Sequence, residues 1–68
     1  MLGKNGAEFM CATCYVIWID GSHNHFSFFY EKNELTNFSS FYEFVVAKCL
    51  LIFPGRTREE IKWIIKED

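Results

Sequence analysis

The chain has 68 residues and a formal net charge of −2; 50% of it is hydrophobic and 19% aromatic. That length holds one domain, and that hydrophobicity excludes a disordered chain. The seven Lys and Arg are scattered, without the basic excess or stripe of a nucleic-acid binder.

Three cysteines are an odd number and too few for a secreted disulfide scaffold. The first ten residues carry no apolar stretch of the kind a secretion signal needs. A cytoplasmic protein is expected. The apolar run from Phe44 to Phe53 is broken by Lys48 and falls short of the roughly 20 residues of a membrane span, so it reads as a buried helix.

Residues 1–9 are polar, contain Gly and lack any period, and Glu8-Phe9 is a pair that a common restriction site encodes. They read as a vector-derived leader, expected to be disordered, with Met10 as the native start. Residues 10–68 are then one small α+β domain.

Residues 12–20 read as a strand, because Tyr15, Val16, Ile17, Trp18 and Ile19 are all β-branched or aromatic. The cluster Asp20-Gly21-Ser22-His23-Asn24 signals a hairpin turn. Residues 25–32 read as the partner strand. Both faces of this hairpin carry large apolar groups. One assignment packs Tyr15, Ile17, Ile19, Phe26, Phe28 and Tyr30 inward, leaving Val16, Trp18 and Phe29 outward as partner-binding residues. The inverse assignment exposes Ile17 and Phe28 instead.

Ser40-Phe41-Tyr42-Glu43 fits a capping box, with Thr36 as another possible start, and a helix to about Phe53 follows. Its apolar stripe is Phe38, Phe41, Val45, Cys49 and Ile52, with a strand over 44–52 as the alternative. Pro54-Gly55 ends it. Thr57-Arg58-Glu59-Glu60 is a second capping box, and Ile61, Ile64 and Ile65 make one face of a short C-terminal helix. The expected fold is α+β: an antiparallel β-hairpin followed by a long helix and a short helix, ββαα.

Cys11, Cys14, His23 and His25 form the metal alternative, a Cys-x-x-Cys followed by two histidines. A straight strand between them sets the two pairs roughly 20 Å apart, at opposite ends of the hairpin. No metal and no cofactor are therefore expected. The Cys-x-x-Cys precedes a strand rather than opening a helix, which speaks against thiol exchange. No Gly-rich phosphate loop or oriented nucleophile is visible, so no catalytic residue is assigned and the chain is not expected to be an enzyme.

A two-stranded hairpin is marginal alone and its edges invite pairing. The expectation is a small non-enzymatic protein-interaction module, a homodimer that works by occupying a surface on another protein. Short chains rich in Phe, Ile, Lys, Glu and Asn are frequent in phages and mobile elements. The concrete version is therefore an inhibitor or modulator of a host protein. The rival is a zinc- or nucleic-acid-binding regulatory protein.

Overall fold

The computed structural model describes residues 9–67. The leader reading lies outside the described residues except at Phe9, which begins the first strand. Among the described residues, three antiparallel strands form one sheet in the order β2-β1-β3: β1 is Phe9–Trp18, β2 His23–Glu31 and β3 Ile61–Lys66. Between β2 and β3 come a 3₁₀ turn at Lys32–Asn37, the helix α1 at Phe41–Ile52 and a second 3₁₀ turn at Arg58–Glu60. The expected ββαα order is thus corrected to a hairpin, one helix and a third strand.

The correction falls on residues 61–66. A helix and a strand both accommodate Ile-Lys-Trp-Ile-Ile-Lys, because so short an apolar run has no decisive period. What decides is the free edge of β1. Left unpaired, it would present a row of backbone N–H and C=O groups beside the core. β3 pairs with it through Tyr15↔Ile65, Val16↔Ile64 and Ile17↔Trp63. The second capping box exists, but it closes only a single turn. The Glu60 carboxylate accepts from the Thr57 N–H at 2.8 Å, and the chain becomes extended at Ile61.

The hairpin turn sets which faces meet. Gly21 N–H donates to the Trp18 carbonyl at 3.0 Å, and Trp18 N–H donates to the Ser22 carbonyl at 2.9 Å. Gly21 takes φ +92°, the left-handed region glycine tolerates best. Asp20 holds the turn by accepting from the Ser22 N–H at 2.9 Å and from its hydroxyl. The resulting register pairs Cys14 with Phe26, Val16 with Asn24 and Ile17 with His23. Even-numbered residues of both strands therefore share one face. Both assignments of hairpin faces drawn from the sequence joined odd positions of β1 to even positions of β2, a slip of one residue.

The even face is the core side. Ala12, Cys14, Val16 and Trp18 from β1, Phe26 and Tyr30 from β2, and Ile64 from β3 are buried against Phe44, Val45, Val46 and Cys49 of α1. Phe44 centres an aromatic cluster, with ring centroids 5.1 Å from Tyr30, 5.2 Å from Phe38 and 5.8 Å from Phe28. Edge-to-face packing of this kind adds to the burial of the rings. α1 starts where Ser40 accepts the Glu43 N–H at 3.2 Å, as the first capping box predicts. The strand alternative for 44–52 is not adopted. Arg58 then pins the helix to the second turn through a 2.8 Å bond to Glu43.

Among the described residues, no helix is long and apolar enough to cross a membrane.

Candidate functional site

α1 covers one face of the sheet. The other face is built from the odd positions of β1 and β2 with Trp63 and Ile65 of β3. At one end lie Cys11 and Phe29, paired across the hairpin; at the other lie Ile17, His23 and Trp63. Phe29 is 74% exposed and Trp63 59%. The middle row is His25, Tyr15 and Ile65.

Local contacts order this surface. The Tyr15 ring lies between two imidazoles, 5.3 Å from His23 and 4.7 Å from His25, centroid to centroid. His25 Nε2 stands 3.3 Å from the Glu67 carboxylate, which Glu67 reaches because its own N–H donates to the Thr13 carbonyl at 2.8 Å. The Thr13 and Ser27 hydroxyls meet at 3.1 Å. The side chains are thus held in rows by cross-strand pairing, which suits a surface that presents a fixed shape.

The residues singled out from the sequence divide between the two faces. Phe29 lies on the open face. Val16 and Trp18 lie inside, both fully buried. Trp18 Nε1 donates to Asn24 Oδ1 at 2.9 Å, which satisfies its polar atom within the core. The exposed tryptophan is instead Trp63, whose strand was read as a helix.

The four residues of the metal alternative are not brought together. Cys11, His23 and His25 are exposed, but Cys11 pairs with Phe29 while His23 pairs with Ile17, six residues along β1. Cys14 points into the core. Among the described residues, no group of three or more His, Cys, Asp or Glu is placed to hold a metal ion. Cys49 is buried beside the same core, and burial pushes its thiol up to about 11, with Cys14 adding to the shift.

Two small clefts flank Tyr42. One, of about 130 Å³, is lined by Cys14, Phe41, Val45, Ile64 and Lys66 as well. The other, of about 120 Å³, reaches Val46, Arg58 and Ile61. Both are well below the roughly 300 Å³ at which small-molecule sites begin.

No protein-family model matches the chain, and neither a curated protein nor a solved structure gives a significant match.

Proposed function

We propose that this chain is a non-enzymatic protein-interaction module whose binding surface is the open face of its sheet. The observation that carries the reading is the exposure of Phe29 and Trp63 on a face that α1 leaves bare. Large exposed aromatics are the usual anchors of protein interfaces. The module works by occupying a surface on another protein. Its short, aromatic-rich composition supports the concrete version, an inhibitor or modulator that a phage or mobile element directs at a host protein.

The test is affinity capture with the wild-type chain and with Phe29→Glu, followed by mass spectrometry and by binding of the purified candidate. A partner that binds the wild type and not the folded variant supports the reading. A partner held equally by both places the interaction on another surface.

A further inference from the structure

We propose that Cys14 of β1 and Cys49 of α1 form a redox-sensitive clasp, a thiol pair that hydrogen peroxide joins into a disulfide tying the helix to the central strand. The clasp is independent of the open face, because both thiols lie on the other side of the sheet.

Both residues are fully buried in one core cluster, Cys14 on the middle strand and Cys49 on the helix that covers it. Val45, one turn before Cys49, lines a cleft together with Cys14. Phe53, one turn after, donates its N–H to the Cys49 carbonyl at 2.9 Å. Its ring stands 6.0 Å from that of Phe26, the cross-strand partner of Cys14. With about 5.4 Å per turn, Cys49 is held over the row of Cys14 from both sides. Small side chains line this contact, Ala12, Cys14 and Val16 against Val45 and Cys49. They let helix and strand approach to the Cα separation of about 4.4–6.8 Å that a disulfide needs. Cys14 also helps to push the Cys49 thiol up, as a group within electrostatic reach does. Cys11 takes no part, because it is exposed and its odd position points to the open face.

Hydrogen peroxide is little larger than a water molecule, which takes about 30 Å³. The cleft beside Tyr42 that Cys14 lines holds about 130 Å³. The Cys14 thiolate attacks one peroxide oxygen and the O–O bond breaks. The departing hydroxide takes up the thiol proton as water and leaves a sulfenic acid. The Cys49 thiolate then attacks the Cys14 sulfur. The S–S bond forms, the S–O bond breaks, and hydroxide leaves with the Cys49 proton as a second water. Two thiols thus lose two electrons and two protons, and one peroxide becomes two waters. Because the Cys49 thiol stays protonated at neutral pH, the link forms under sustained oxidant and faster as pH rises.

The experiment uses the full chain carrying Cys11→Ser, which removes the exposed thiol. The folded protein is incubated with hydrogen peroxide, then unfolded and capped with maleimide. The expected product is a monomer lighter by two hydrogens that takes up no maleimide and yields a peptide joining β1 to α1. Dithiothreitol should return both thiols. The melting temperature should rise by about 10 °C, since the link closes a long loop in the unfolded chain. Adding Cys49→Ala, with native circular dichroism as the check on folding, should leave oxygen on Cys14 and no link. Two maleimides per chain after peroxide overturn the proposal, as do oxygen on both sulfurs without a bridge and a bridge that forms only in denaturant. A bridged chain that melts no higher than the reduced one overturns it as well.

Discussion

The guanidinium carbon of Arg56 stands 4.5 Å from the centroid of the Trp18 ring. The same guanidinium donates to Asp20 at 3.2 Å, to Glu60 at 3.3 Å and to the Ser22 hydroxyl at 3.1 Å. One side chain from the loop after α1 thus closes the end of the core, clasps the hairpin turn and meets the turn that launches β3. Removing it should cost more than an exposed ion pair. A cation–π contact is worth about 0.5–2 kcal/mol and each half-exposed pair less than about 1. Arg56→Ala is expected to lower stability by about 1–2 kcal/mol in urea unfolding, and Arg56→Lys to recover only part of it. A loss below the error of the measurement would mean that the clasp is decorative.

Trp18 is the sharper case. Read as a surface anchor, it should accept a charged substitution without loss of fold. Its full burial and its bond to Asn24 reverse that expectation. Truncating a buried Trp costs about 3–5 kcal/mol, comparable to the whole stability of a domain this small. Trp18→Ala and Trp18→Glu are expected to unfold the protein, while Trp63→Glu keeps its circular dichroism. A folded Trp18→Glu would contradict the core described above.

Acid should act through the hairpin turn. Bonds from Ser22, helped by Arg56, hold the Asp20 carboxyl at about 2, below its ordinary 3.8. Because the folded value is the depressed one, the stabilisation is complete above about 3.8 and fades as pH falls toward 2. Asp20→Asn should be less stable than wild type at neutral pH, and the two should converge between pH 4 and pH 2 in urea titrations at fixed pH. A constant gap across that window would refute the assignment.

The three thiols should separate cleanly. Cys11 is exposed, whereas Cys14 and Cys49 are buried. At pH 8 a thiol reagent should label one cysteine per native chain and three in denaturant. Fast labelling of Cys49 would show that α1 opens readily from the sheet.

The two capping boxes should differ in weight. Ser40→Ala removes the hydroxyl that accepts the Glu43 N–H and should cost on the order of 1 kcal/mol. Thr57→Ala should cost less, because Glu60 itself accepts the Thr57 N–H and Arg56 donates to Glu60. Equal costs in thermal melts would contradict this division of labour.

These contrasts mark what the sequence made legible. The hairpin could be read because β-branched and aromatic runs flank Asp20-Gly21, and α1 because Ser40 and Pro54 bracket it. Face assignment could not, since both faces are apolar and only the Ile19–Ser22 loop length sets the register. β3 was hidden because its strand character comes from the free edge of β1, a partner 43 or more residues earlier. Trp63 was missed for the same reason: no local pattern puts it in line with Ile17. The exposure of Phe29 was legible because alternation within β2 alone places it opposite Phe28 and Tyr30.

The strand order β2-β1-β3 also governs when the molecule can finish folding. The central strand is the first made and its second neighbour the last, so the sheet closes only after residues 61–66 leave the ribosome. Until then β1 keeps one edge unsatisfied beside a half-covered core, the condition under which strands pair with the wrong partner. Closure across that sequence distance is an entropic search that slows folding. A chain that stops short of residues 61–66 is therefore expected to aggregate more readily than one in which β3 has closed the sheet.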